Sequence, residues 1–465
     1  MSLLRDVRSR FRRERVELDL DDIQALILRS RPEPYVGLHA MIHVDEAAGG
    51  RDLVARLAEH IPAADDWFED RDAWTGVAIS HQGLRALGLP EDSLSSFPLP
   101  FQQGMAARAE QLHDYGENAS EHWDEAFAPG TCHIALTIYA TDGEALDRAR
   151  DLAMGELAAS SGVTLVATQE FGADEEAKNP FGFRDSISQP TVAGSGVEPR
   201  PGQERSVAAG EFILGKASET GQPLASPQPP ELGNNGSYVV LRKFVSRVGA
   251  FNDYLRSQAD DADAQHLLAA KMFGRWRSGA PLVLSPEHDD EALGADPDRN
   301  NDFDFTEDVD GLMCPHSSHM RRLNPRESDL SILTDVNIHR IIRRSSTYGP
   351  KWSPDLTADD DAAEDRGLYF IFISGRAFDT IEFMQQEWIN GGNFVDLGPE
   401  GDPIVGLHEG DVSDTFTIPE EPTRRRLHHV TTFNRMAGGE YLFMPSLTAL
   451  RWIGDGGWLQ DAEAR

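Results

Sequence analysis

Apolar residues recur along the chain in two alternating periods, strand-like and helix-like. Tyr35–Val44 alternates loosely as a strand does, and a helical stretch follows around Arg51–His60. Trp74–Ser80 returns as a strand, and His81–Leu87 as a short helix closed by Gly88 and Pro90. The unit recurs as strand His133–Tyr139, helix Asp142–Ser160 and strand Val163–Thr168, with Asp142 placed to cap the helix and Gly162 just past its end. Two such β-α-β passes predict a ferredoxin-like α+β domain. The second half has the same grammar: strand Tyr238–Lys243, one helix over Gly249–Phe273, apolar strand Leu368–Ser374, helix Ala377–Ile389, strand Glu440–Met444 and a helix from Ser446. The expected fold is therefore α+β, two ferredoxin-like domains with antiparallel sheets and peripheral helices, over 16–190 and 211–458. No repeat at the level of residue identity accompanies this duplication.

Three stretches interrupt the pattern. Val192–Asn235 is rich in Gly, Pro and Ser, Pro286–Asp310 holds eleven acids against the single base Arg299, and Pro354–Arg366 is acidic again. Long loops in compact domains serve as lids or mobile surface. An acidic loop is either solvated surface or a carboxylate cluster able to hold Ca²⁺ or Mn²⁺.

Composition narrows the classes. The 465 residues carry 78 Asp plus Glu against 43 Lys plus Arg, a formal net charge of -35, and only five of the bases are Lys. A 40% hydrophobic share with 26% charged residues fits a globular chain. The charge argues against nucleic-acid binding, which needs basic patches, and no apolar run long enough to cross a membrane occurs. Two cysteines, Cys132 and Cys314, cannot build a disulfide framework. The basic N-terminal arm, Arg5 to Arg15, includes Arg12-Arg13, but the acidic residues that follow supply no apolar export signal. The expectation is a cytoplasmic protein.

Three short segments could carry chemistry. Phe181-Gly182-Phe183-Arg184-Asp185-Ser186-Ile187-Ser188-Gln189-Pro190 sets an acid among aromatics and a turn, either as a buried carboxylate with a raised pKa or as an Asp capping the turn before Pro190. Cys314-Pro315-His316-Ser317-Ser318-His319 allows zinc ligation, with His339 as a fourth ligand, or an axial haem ligand, or a surface His beside a turn. His339-Arg340-Ile341-Ile342-Arg343-Arg344 places apolar residues between arginines, so that one Arg turns inward to meet an anion, or forms an exposed basic border. An acid, an axial His and an inward Arg are together the parts of a haem peroxidase.

With these parts in view, the chain resembles the dye-decolorising peroxidase family, in its larger bacterial and fungal branch. The likeness runs from Asp22-Ile23-Gln24-Ala25-Leu26-Ile27-Leu28 through Ser96-Phe97-Pro98, Phe101-Gln102-Gln103-Gly104-Met105-Ala106 and Gly210-Glu211-Phe212-Ile213-Leu214-Gly215. It continues through Asn235-Gly236-Ser237-Tyr238 and Arg299-Asn300-Asn301-Asp302-Phe303-Asp304-Phe305 to Gly439-Glu440-Tyr441-Leu442-Phe443-Met444-Pro445-Ser446-Leu447. The resemblance implies one haem b per chain, held mainly by the C-terminal domain, and hydrogen peroxide driving one-electron oxidation of dyes, phenols or other reducing substrates. It implies His319 as the axial iron ligand, Asp185 as distal acid-base residue, Arg343 as distal arginine, and Leu368 and Phe370 as the distal wall. Arg321 joins these as a cofactor contact within the basic island between His319 and Arg344.

The family's Gly after the distal Asp is Ser186 here, and the Gly two residues after the distal Arg is Ser345, so both join the cofactor-contact set. A Cβ and hydroxyl at these places would move Asp185, add a donor, or crowd the haem, which opens an alternative: a haem-binding or haem-sensing protein with weak catalysis. A metal-bound histidine donates its other ring N–H to a partner that fixes its orientation, so a carboxylate is expected behind the axial His, for which Glu382 is the expectation. Tyr348, Tyr369, Trp388 and Trp452 are the candidates for electron transfer from bulky substrates, or else ordinary core aromatics. The resemblance leaves the oligomeric state open.

Overall fold

The strand β1 (Tyr35–Val44) is buried along nearly its whole length because antiparallel strands flank it on both sides, β3 (Ile134–Ala140) and β4 (Val163–Ala173). The structure, a computed structural model, describes residues 17–66, 71–173, 176–201, 205–326, 336–393, 396–409 and 413–459. The arginines of the N-terminal arm lie outside these residues.

With β2 (Ala73–Ser80) beside β3, the first four strands are ordered β4-β1-β3-β2, the ferredoxin-like order. The helices α1 (Ala47–Ala58) and α2 (Gly143–Ala159) are the crossovers. Asp142 caps α2 by accepting from the Ala145 N–H at 2.9 Å. The second half repeats the order. β5 (Ser237–Ser246) lies between β8 (Gly367–Ser374) and β11 (Asn434–Met444), and the short β6 (Ile342–Arg343) and β7 (Ser346–Tyr348) pair with the far side of β8. A separate hairpin, β9 (Phe416–Ile418) with β10 (Arg425–Leu427), stands outside this sheet.

The halves meet where β11 pairs with β2 through Leu442↔Ser80 and Phe443↔Ile79. At the opposite end β4 lies against β7, so the nine strands roll towards a barrel. Leu26, Ala78, Val239, Leu241 and Ile373 fill its interior, and removing that surface from water drives the closure.

Two helical expectations change. Gly249–Phe273 is two helices, α3 (Val248–Gln258) and α4 (Ala262–Phe273), because Asp261 accepts from the Ala264 N–H at 2.8 Å and starts a new helix there. A capping Asp competes with helix continuation although the apolar period runs on. Ala377–Ile389 is α-helical only as far as Phe383, and widens to a π turn over Met384–Ile389. The acidic loops also do structural work: Asp361 accepts from the Gly249 and Ala250 N–H groups at 2.8 Å each, capping α3. Among the described residues no group of three His, Cys, Asp or Glu could hold a metal ion. No helix among them is long and apolar enough to cross a membrane.

Candidate active site

Asp185 sits on the loop that follows β4, and the residues before it explain its placement. Asn179 Oδ1 accepts from the Phe181 and Phe183 N–H groups at 3.0 Å each, folding a tight turn. Gly182 has φ 82°, and a Cβ there would stand 2.8 Å from the Trp352 ring, so glycine is required. The turn buries Phe183 against Phe273 at the end of α4, with ring centroids 3.8 Å apart. Phe273 in turn meets the His319 ring edge-on at 6.2 Å, so one aromatic links the acid's loop to the axial candidate.

Arg343 reaches the same loop from β6. Its backbone N–H donates to Gln189 Oε1 at 3.0 Å, Gln189 Nε2 returns a bond to the Arg343 carbonyl at 3.2 Å, and Nη2 donates to the Ser188 carbonyl at 2.9 Å. These bonds hold Nη1 3.6 Å from Asp185 Oδ1. A second arginine, unsuspected in the sequence, approaches from the N-terminal half. Arg31 Nη2 donates to Asp185 Oδ2 at 3.2 Å and to Ser186 Oγ at 2.6 Å, while its guanidinium lies over the Tyr35 ring.

Ser186 takes φ 65°, the left-handed conformation that glycine adopts freely, and its N–H donates to Asp185 Oδ1 at 2.7 Å. Burial pushes the Asp185 carboxyl up, but the Arg343 and Arg31 charges and the Ser186 and Arg31 hydrogen bonds outweigh it. The carboxyl is therefore held below its ordinary value, which corrects the expectation of a raised pKa.

His319 opens the one-turn helix α5 (His319–Leu323). Its Nδ1 and Asp402 Oδ2 are 2.8 Å apart, and Asp402 is fully buried, with Oδ1 accepting from the Ile404 and Val405 N–H groups. Burial would raise the Asp402 pKa, but the charge and hydrogen bond of His319 lead the effects that lower it. Asp402, not Glu382, is thus the carboxylate behind this histidine. Glu382 is spent on Arg108, at 2.5 and 2.8 Å, and on the Tyr441 hydroxyl at 3.2 Å.

Other expectations also move. Arg321 turns away into the interior, where it pairs with Asp308 at 3.1 Å and donates to the Cys314 carbonyl at 2.7 Å, so it is not the cofactor contact. The buried arginine of the third segment is Arg344, and carbonyls of Leu26, Ile27 and Arg343 satisfy it instead of an anion. Ser345 is buried, its hydroxyl 3.5 Å from the Ile371 carbonyl of β8. A zinc site does not form. Cys314 Sγ lies 3.2 Å from Ser318 Oγ, His316 bonds the Val309 carbonyl, and His339 stacks on Phe383. Tyr348, Tyr369 and Trp388 are buried, and Trp452 packs against Trp458.

The donor set fits a haem. His319 has Nδ1 committed and Nε2 without a hydrogen-bond partner among the described residues. Leu368 and Phe370 stand partly exposed on β8, on the same face as Phe372, which pairs with Arg343. Arg275 is held by carbonyl oxygens of Gly279, Asn300 and Asn301, and burial together with the Arg326 and Arg343 charges pulls its pKa down to about 9. Such a positive cluster favours an anionic group such as a propionate.

Comparison with known proteins agrees. Residues 64–166 match the family model described as the DyP dimeric alpha+beta barrel domain. The chain is 33% identical to a dye-decolorizing peroxidase of Mycena epipterygia over 412 residues, covering 81% of this chain and 75% of that protein. It is 27% identical to the multifunctional dye peroxidase DyP2 of Amycolatopsis, covering 93% of this chain and 95% of that one. Among solved structures, a dye-decolorizing peroxidase in complex with 2,6-dimethoxyphenol superimposes with TM-score 0.79 at 29% identity, covering 94% of this chain and 100% of that one.

Proposed function

Because the chain belongs to the dye-decolorising peroxidase family and is a haem peroxidase, we propose that it binds one haem b and uses hydrogen peroxide to oxidise dyes and phenols by one-electron steps. The observation that carries this reading is the Asp185 carboxylate flanked by two arginines, Arg343 at 3.6 Å and Arg31 at 3.2 Å. His319 would hold the iron through Nε2, with Leu368 and Phe370 as the distal wall. Arg275, not Arg321, is the arginine placed to meet a haem propionate. Haem, when bound, supplies the redox centre at which peroxide is reduced.

The chain's own residues then have separable tasks. Asp185 is the proton carrier: Oδ1 and Oδ2 each accept one hydrogen bond, which fixes the carboxylate and leaves lone pairs to take a proton from one peroxide oxygen and return it to the other. Arg343 stabilises negative charge as it separates from that proton. Asp402 keeps the His319 proton on Nδ1, which orients the ring and makes Nε2 a stronger donor. Ser186 favours catalysis over a haem-sensing role, since it keeps the glycine-like φ and its hydroxyl is tied to Arg31. Two buried free thiols support a reducing, cytoplasmic setting.

The test is spectroscopic first and kinetic second. The purified protein should show a Soret band that His319→Ala removes. Asp185→Asn should keep the band and lose about 10²–10⁴-fold in kcat/KM for peroxide with 2,6-dimethoxyphenol as reductant. A variant as fast as the wild type would dismiss Asp185 as proton carrier.

A further inference from the structure

β2 ends at Ser80, but β11 begins at Asn434, well before the residues that pair with it. Beside Gly439 and Glu440 the neighbouring strand is therefore missing, and a cavity of about 300 Å³ opens there. That volume is at the small end of ligand sites. Phe101, Met105, Phe127 and His81 contribute to its walls, and Asp185, His319 and Arg343 do not.

Among the described residues Glu440 is the one acid that lines this cavity, and neither Lys nor Arg lines it. Its Oε1 substitutes for the absent strand, accepting from the Tyr441 N–H at 2.8 Å with the Met105 N–H at 3.5 Å. Its Oε2 has no hydrogen-bond partner among the described residues. Burial pushes the carboxyl up to about 7, against the two N–H groups that lower it. An incompletely satisfied carboxylate in a desolvated site is stabilised most by a positive charge, and Phe101 and Phe127 add aromatic surface to which cations are drawn. Among the described residues no group of three His, Cys, Asp or Glu stands here to hold a metal ion. We propose that this cavity binds a small organic cation, an ammonium group paired with Glu440 Oε2 against the aromatic walls.

Titration calorimetry on the haem-loaded protein tests this with benzyltrimethylammonium, whose charge is independent of pH, and with neutral benzyl alcohol. Saturable binding of the cation should be at least tenfold tighter than that of the alcohol. It should strengthen about tenfold between pH 6 and pH 8, as a carboxyl titrating near 7 ionises. Glu440→Gln should weaken it at least tenfold with the Soret band unchanged. Ala107→Trp, which adds bulk to the cavity wall from an exposed position, should abolish it and guards against misfolding of the first variant. No saturable binding, equal affinity for the alcohol, a flat pH dependence, or undiminished binding by the two variants would each overturn the proposal.

Discussion

Ser186 shows how a departure from a family pattern is accommodated by one side chain. A Cβ at φ 65° costs about 1 kcal/mol, and the hydrogen bond from Arg31 to the hydroxyl returns a similar amount. Ser186→Gly should leave the urea-unfolding free energy within about 1 kcal/mol of the wild type, yet change turnover because Arg31 loses one of its two anchors. Arg31→Leu should act more directly. Removing that charge lets the Asp185 pKa rise, so the acid limb of the peroxide reaction moves to higher pH. The linked stability has the same sign: a depressed carboxyl stabilises the fold above its unfolded pKa near ~4 and loses this as pH falls through the lowered value. Thermal melts between pH 3 and 6 should therefore show the variant losing part of the wild type's acid-dependent stability change. Asp185, His319 and Arg343 were legible in short motifs, but Arg31 and Asp402 were not. They lie 154 and 83 positions from the residues they serve, where spacing carries no information.

The elements were legible in proportion to how locally they are determined. α2 runs where Asp142 and Gly162 bound it, and α6 (Leu447–Gly454) starts where Ser446 accepts from the Ala449 N–H. The break between α3 and α4 was missed because hydrophobic periodicity continues across it, whereas a single side-chain bond from Asp261 decides it. Asp261→Ala should cost about 1 kcal/mol and partly fuse the two helices, read as a lower thermal midpoint with slightly more helical circular dichroism. Since α4 ends in Phe273, which touches Phe183 and His319, the fusion should also weaken haem retention. Unchanged stability would mean that α4 is started by packing instead of by its cap.

For the whole molecule, element order revealed the duplication but not the union of the halves, which depends on the pairs Leu442↔Ser80 and Phe443↔Ile79 far apart in sequence. A buried ion pair crosses the same boundary. Arg242 of β5 holds Asp114 at 2.5 and 3.0 Å, both residues nearly inaccessible. Arg242→Leu strands a buried carboxyl and should cost about 4 kcal/mol, read in urea denaturation. Asp114→Asn in addition should recover part of that loss; a double variant no better than the single one would place the cost in packing instead of charge.

The rolling of the sheet has a consequence for behaviour in a crowded solution. β4 pairs with β1 on one side, and the three-residue β7 lies against the other, which shortens the edge left for a passing strand. Left flat, the sheet would present the whole length of β4 as a template for pairing between chains, whereas its other end is only the short β6 and β7; closure covers part of β4. With a net charge of -35 keeping molecules apart, native copies have little means of templating one another. Aggregation should therefore quicken once β4 has parted from β7.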